Sequence, residues 1–464
     1  MPTPRLVRNL VKLPARTVGS LQRRLDPDRR LAWGWDGLTS RWRAAESGAS
    51  RRREVVLDDA ADGGGGAVAP SSPVDARVLI LGWYGNETTG DQAILGGIMR
   101  RLDPARVIQT TSDPRVSRET LLELGAEGVR LIEDTSEAIH AALTEVDVVM
   151  VGGGPIKEGA MLERWAEVFA RAGRLGKGRM VYGCGIGPIK SPRSARALRR
   201  LLSETDVATV RDQGSRELAR TLGADVSAVH VAADPAVAFD WQHEADREAG
   251  SMRGPGFGSL AAVAWGVGGV GISLRYLADD YHRGPGSAAQ TQASAAAAYV
   301  ELIDHIHRET DRQVWLVPMQ LSGDRHDRQV LGALRERLAE PGRASLLEYR
   351  GPHDLVRRLG ALEMLVGMRF HSLVLSWLAG VPMVGVDYDM AGGKVSGLMR
   401  QMQAEALLLG IGELDGRRLI GAFETLRQSP QAWRAHLAER LEEAQRRERR
   451  SVAALAALVE AVRG

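Results

Sequence analysis

From residue 77 onward the chain alternates between short runs that are apolar on both faces and longer segments whose apolar residues recur every three to four positions. The runs are RVLILGWY (77–84), RVIQTTS (106–112), VRLIED (129–134), VDVVMVGG (146–153), RMVYGCG (179–185), VATVRD (207–212) and AVHVAAD (228–234). Their length and β-branched content predict strands. Segments of helical period lie between most of them. After Asp91, for example, Ile94, Leu95, Ile98, Met99 and Leu102 share one helical face. Strands apolar on both faces that alternate with helices predict a parallel, doubly wound sheet.

The alternation stops at 240–258, a polar and glycine-rich stretch that reads as an interdomain linker. It restarts with VGISLR (270–275), a helix over 288–310, QVWLVPMQ (313–320), a helix over 325–339, SLLEYR (345–350), a helix over 353–360, EMLVGM (363–368), a helix over 371–379 and VPMVGVDY (381–388). Residues 431–462 read as one charged amphipathic helix. The expected organisation is an extension and linker over 1–76, a Rossmann-like domain over 77–240, a second over 259–428, and a terminal helix over 429–464. Two such α/β units with a cleft between them describe a GT-B-like architecture.

Composition narrows the class. With 464 residues the chain exceeds one ordinary core. No run of about 18 uninterrupted apolar residues predicts a membrane span. The opening MPTPRLVRNLVKLPARTV is broken by Arg, Lys and Pro and carries no signal-peptide core. The single cysteine, Cys184, leaves no disulfide framework and no cysteine zinc site, and a cytoplasmic location is expected. Charge is uneven: residues 1–53 hold thirteen Arg or Lys against four acids, with Trp33, Trp35 and Trp42 interleaved. Two readings fit this stretch, a weakly ordered solvated extension or peripheral contact with an anionic membrane face. Arginine so far outnumbers lysine along the whole chain that codon bias accounts for the excess, and no nucleic-acid partner is expected.

In open α/β sheets ligands sit beyond the carboxyl ends of strands, so those loops are where chemistry belongs. GNETTGDQAI (85–94) offers Asn86, Gly90 and Asp91, with Asp91 placed to cap the next helix, but it is neither a dinucleotide fingerprint nor a P-loop. GGGPIKEG (152–159) offers Gly153, Gly154, Lys157 and Glu158, and GCGIGPI (183–189) is a second glycine-dense loop. Arg211 with Asp212 reads as an ion pair beside a helix cap. In the second unit the strand ends deliver Arg275, then Gln320, Asp324 and His326, then Arg369 and His371, then Asp387, Tyr388 and Asp389 with Lys394 beyond. Arginine suits bidentate contact with carboxylate or phosphate, and an imidazole at a strand end suits proton transfer near neutral pH. No cluster has metal-ligand spacing, and no metal or cofactor is expected.

Nine stretches in order resemble the polysaccharide pyruvyl transferase family: LGWYGNETTGDQAIL (81–95), VGGGPIKEG (151–159), GCGIGPI (183–189), VRDQGS (210–215), ADPA (233–236), GISLR (271–275), VPMQ (317–320), GMRFHSL (367–373) and GVPMVGVDYD (380–389). The resemblance implies a GT-B-like fold and transfer of pyruvate from phosphoenolpyruvate to a sugar of a cell-envelope glycan, usually as a cyclic ketal. It implies His371 and Arg369 as catalytic residues. Arg275, Asn86, Gly90, Asp91, Gly153, Gly154, Glu158, Gln320, Tyr388 and Lys394 become the substrate-binding set. Expected partners are phosphoenolpyruvate and a sugar or glycan acceptor, free or lipid-linked, with the protein in the cytoplasm or at the inner membrane face.

Three features depart from the family pattern. Lys394 falls two positions late after the Tyr-Asp pair. Residues 251–270 are unusually rich in Gly and Ala, and the basic N-terminal stretch lies outside the family core. Competing functions for the same cleft are nucleotide-sugar glycosyl transfer, sugar-nucleotide epimerisation, or a non-catalytic, membrane-associated role in glycan assembly.

Overall fold

The computed structural model describes residues 52, 53, 55, 73–86, 88–152, 154–242, 268–277, 287–321, 326–389 and 393–464. The first sheet is built from β1 (Val78–Leu81), β2 (Val107–Thr111), β3 (Arg130–Glu133), β4 (Val148–Gly152), β5 (Pro155–Ile156), β6 (Gly178–Ile186), β7 (Val207–Val210) and β8 (Val229–Val231). Its order is β3-β2-β1-β4-β6-β7-β8, all parallel, with β5 paired to the end of β6. The second sheet uses β9 (Val270–Ser273), β10 (Val314–Leu316), β11 (Ala344–Leu346), β12 (Met364–Gly367), β13 (Met383–Asp387) and β14 (Leu408–Gly410). Its order is β11-β10-β9-β12-β13-β14, also parallel. Both are Rossmann-type orders, and the fold is the GT-B-like pair that the alternation predicts.

The helices are α1 (Thr89–Met99), α2 (Pro114–Glu123), α3 (Ser136–Leu143), α4 (Ala160–Arg174), α5 (Pro192–Glu204), α6 (Gln213–Thr221), α7 (Ala288–Glu309), α8 (Asp327–Arg335), α9 (Pro352–Gly360), α10 (Phe370–Leu378), α11 (Lys394–Gln401), α12 (Gly416–Gln428) and α13 (Pro430–Arg463). Many start where a short polar side chain accepts a backbone N–H: Asp113 before α2, Thr135 before α3, Ser191 before α5, Asp212 before α6 and Asp415 before α12.

Several expectations need correction. Thr88, not Asp91, is the N-cap of α1; Asp91 sits three residues in and closes a capping box by accepting the Thr88 N–H. The glycine-dense stretch 183–186 is strand rather than loop. β6 runs through it with a register shift between Val181 and Cys184, where residues without bulk fit a bulge. The short strands β5 and β14 and the helices α11 and α12 were not expected, although Val395, Leu398 and Met399 of α11 and Leu419, Ala422, Phe423 and Leu426 of α12 recur at helical spacing. Residues 243–267, which hold most of the predicted linker, lie outside the described residues, as does most of 1–76.

The terminal helix α13 joins the two units. Near its start the Leu437 carbonyl accepts the indole N–H of fully buried Trp377 from α10. Farther along, Ser451 donates to Thr209 of β7, and Leu455 and Leu458 are buried against the first sheet. Glu448 is fully buried and accepts the Tyr182 phenol at 2.9 Å, with Arg101 3.7 Å from its other oxygen. At the opposite edge from the cleft, Arg53 donates its backbone N–H to Asp206 and its guanidinium to the carbonyls of Gly176 and Lys177. Arg53, the last residue of the basic stretch, therefore sits at the amino ends of β6 and β7.

Burial holds the Glu448 carboxyl above its ordinary value, against the pull of Tyr182 and Arg101. A group whose folded value is raised contributes stability that is fully present below its unfolded value and is lost as pH rises through the folded one. Glu448→Gln keeps an acceptor for Tyr182 and cannot ionise. The variant is therefore expected to be the more stable form at neutral pH, with the advantage vanishing toward about pH 4. Denaturant unfolding at a series of pH values checks this; a constant difference across the series contradicts it.

Candidate active site

β9 and β12 of the second sheet, where the strand order reverses, deliver Arg275 and the segment 368–371 at their carboxyl ends. β12 is an apolar strand wholly inside the core, and α10 begins after two intervening residues, so Arg369 is held at the N-cap position by its neighbours' burial. Its Nε donates to both oxygens of Asp327, at 3.2 and 2.9 Å, and its Nη2 donates to Gln320 Oε1 at 3.0 Å and to Asp327. Asp327 is fully buried and also takes the Met319 and Gln320 N–H groups. Two of the three guanidinium nitrogens of Arg369 are thus committed inside the second unit.

Around Arg369 stands a group of cations on aromatic rings. The Arg275 guanidinium lies 4.1 Å from the Tyr388 centroid, and that of Arg211, from the first unit, lies 4.0 Å from the Phe370 centroid. Lys394 Nζ is 5.9 Å from Phe370 and 6.0 Å from Tyr388. The displaced position of Lys394 is explained by Asp387. Its carboxylate accepts the N–H groups of Asp389, Gly393 and Ser396 and the Ser396 hydroxyl, which fixes the start of α11 at Lys394. Burial pushes the Tyr388 phenol up, with Arg275 and Arg369 pulling the other way.

His371 faces the first unit. Its ring lies against Gly90 so closely that a Cβ there would stand 2.2 Å from Nδ1. Its Nε2 is 3.5 Å from Asp234 Oδ2, at ion-pair distance but without a directed hydrogen bond. Asp234 also receives Arg211 Nη1 at 3.2 Å and the Ala236 N–H at 3.1 Å. Burial pushes the Asp234 carboxyl up, but His371, Arg211 and that N–H together outweigh it and hold it below the ordinary value. Thr89 and Tyr349 hydroxyls meet across the same seam at 3.0 Å.

Gly393, Lys394 and Ser396 aside, all of these residues lie within the segment matched by a family model, polysaccharide pyruvyl transferase, at residues 38–390. The chain belongs to the polysaccharide pyruvyl transferase family. Among solved structures it is similar to Anabaena HepE in complex with UDP, at 15% identity over 80% of this chain and 95% of that one, with a TM-score of 0.52. The HepE complex with UDP-glucose matches at 15% identity over 82% and 98%, TM-score 0.52. UDP-GlcNAc 2-epimerase from Neisseria meningitidis matches at 10% identity over 78% and 93%, TM-score 0.48. At such identities the HepE likeness concerns the fold.

Within this pyruvyl transferase family fold, the remaining predicted residues divide. Gly90, Arg275, Gln320, Tyr388 and Lys394 join Arg369 and His371 around the seam. Glu158 does not: its carboxylate accepts the N–H groups of Lys190 at 2.6 Å and Ser191 at 3.2 Å, which fastens the loop after β5 to the start of α5. The Lys190 bond leads in holding that carboxyl low. Asn86 is exposed in the turn after β1, and Asp91 and Gly154 lie beyond Gly90. Gly153 and Asp324 are outside the described residues. Arg211 pairs with Asp212, which caps α6, as expected. Its further tasks, facing Phe370 across the seam and pairing with Asp234 of its own unit, were missed, as was Asp234; ADPA and VRDQGS at two strand ends were the available signals. Cys184 is buried and its thiol is pushed up to about 12 by burial, which leaves it a packing residue.

Gly90→Ala places a methyl where the His371 ring rests. Hydrogen exchange is expected to rise at residues 89–94 and 369–373 with the cores of both sheets unchanged. Unaltered exchange at the seam contradicts the contact.

Proposed function

We propose that this protein transfers the pyruvyl group of phosphoenolpyruvate to a sugar of a cell-envelope or extracellular glycan, or of its precursor, forming a ketal. The observation that carries this reading is the group of cations, Arg211, Arg275 and Lys394, gathered on Phe370 and Tyr388 beside His371. Phosphoenolpyruvate brings a carboxylate and a phosphate close together, and preorganised cations in a water-poor site hold such a pair. Arg369, anchored by Asp327, keeps the floor of that site in place.

In the reaction a proton goes to the methylene carbon, the enol double-bond electrons form the new C–H bond, and the central carbon becomes electrophilic. One sugar hydroxyl adds there and loses its proton. A second hydroxyl then displaces phosphate, which leaves with the C–O bonding pair while that hydroxyl loses its proton, so that a cyclic ketal and inorganic phosphate result. His371 is the group suited to deliver and recover protons. Asp234, held low as a carboxylate, faces the Nε2 edge of the His371 ring at 3.5 Å.

Among the described residues no helix is long and apolar enough to cross a membrane. The basic stretch 1–53 supports peripheral contact with an anionic membrane face, which would suit a lipid-linked acceptor.

His371→Ala is expected to lower phosphate release from phosphoenolpyruvate by about 10²-fold or more, the scale of a lost general acid–base, with an unchanged circular dichroism spectrum. Near-normal turnover contradicts the assignment. Arg275→Ala is expected to weaken phosphoenolpyruvate binding by about tenfold or more, the loss of one charge-assisted contact. A thermal-shift titration reads this, and the same titration with UDP- and GDP-sugars separates the competing chemistry: stabilisation by those alone favours nucleotide-sugar turnover.

A further inference from the structure

With His371, Arg211 and the second-unit cations assigned to the donor, the first-unit surface beyond Gly90 holds polar groups with no task. Trp83 stands at the carboxyl end of β1. Its ring meets Trp165 of α4 edge-on, with centroids 6.3 Å apart at 81°. Lys157 Nζ lies over the ring, 4.2 Å from the centroid. The Trp83 indole N–H is buried and has no hydrogen-bond acceptor. Asp91 follows Gly90 on α1 and uses one oxygen, Oδ2, for the Thr88 N–H and hydroxyl at 3.1 and 2.8 Å. Its Oδ1 turns toward Gly154. A Cβ built on Gly154, whose φ is 72°, would lie 3.3 Å from Asp91 Oδ1 and 3.6 Å from Trp83 Cδ1. Gly154 thus marks a point that the carboxylate oxygen and the pyrrole edge of the indole both border.

A buried donor without an acceptor costs about 1–3 kcal/mol, so such a group calls for a partner. The missing partner must accept from an indole, donate to a carboxylate and present an apolar face to a ring. A pyranose does all three through its hydroxyls and its C–H face. A nucleotide phosphate would find one lysine and be repelled by Asp91. Lys157 on the ring is a removable cover, since a cation–π contact at an exposed site is worth about 0.5–1 kcal/mol.

We infer that Trp83 and Asp91 form the acceptor-sugar subsite, with a pyranose stacked on Trp83 where Lys157 now rests. The sugar's role as acceptor rests on the pyruvyl-transfer reading; its binding does not. Asp91 neighbours the glycine on which His371 lies, so a sugar held there brings its hydroxyls toward the proton-transfer group.

The test titrates the full chain, without phosphoenolpyruvate, with the methyl glycosides of glucose, galactose and mannose. Saturation-transfer NMR follows the sugars, and the Trp83 indole ¹H–¹⁵N resonance, identified by its loss in Trp83→Phe, follows the protein. At least one glycoside is expected to move that resonance saturably. Trp83→Ala is expected to weaken its binding by about tenfold or more, Trp83→Phe by about threefold, the partial loss left when the ring stays and the N–H goes. Lys157→Ala is expected to leave binding equal or tighter, which keeps the test open if Trp83→Ala fails to fold. A Trp83 resonance unmoved by all three sugars, or undiminished binding in Trp83→Ala and Trp83→Phe, overturns the subsite. Trp83-dependent sugar binding without phosphate release from phosphoenolpyruvate would keep the subsite and sink pyruvyl transfer. Phosphate release with an unchanged acceptor KM in Trp83→Ala would do the reverse.

Discussion

The contact on which the site depends is the close approach of His371, in the first turn of α10, to Gly90 and Asp234 of the first unit. Neither unit completes the site alone. The second supplies the imidazole and three cations, Arg275, Arg369 and Lys394; the first supplies Arg211 and the buried carboxylate that faces the ring. A side chain at residue 90 would hold the two apart, so the glycine is required by close approach rather than by backbone conformation. The terminal helix α13 supports that approach by packing on Trp377 in one unit and Thr209 in the other.

The charge balance within the site follows a consistent division. Carboxylates that lie deep are matched to particular partners: Asp327 to Arg369, Asp234 to Arg211 and His371, Asp387 to backbone N–H groups. Each orders a loop or a guanidinium. Burying a charge without such matching is costly, and the matched ones are what let so many cations gather around Phe370 and Tyr388.

Much of this was legible in the sequence because it follows from period. Strands apolar on both faces require a sheet covered twice, and the strand-end rule then points to Arg275, Arg369, His371 and Tyr388. What periodicity could not reveal was partnership across the units. Arg211 and Asp212 form the local ion pair and cap that adjacency suggests, yet Arg211 also reaches Phe370, 159 residues away in the chain. Asp234 reads locally as the cap of a short turn, and only the docking of the two sheets brings it to His371. Glu158 likewise has a partner that its loop did not announce: its carboxylate fastens the loop to the neighbouring helix start.

The central claim is that the cations and His371 serve an enolpyruvyl donor. The most direct measurement incubates the protein with phosphoenolpyruvate and a panel of nucleotide-linked and lipid-linked sugars, and follows inorganic phosphate together with the mass of each sugar. Phosphate released in equal amount to a pyruvylated sugar is the predicted result. Phosphoenolpyruvate left intact while a nucleotide-linked sugar is cleaved or epimerised would contradict it.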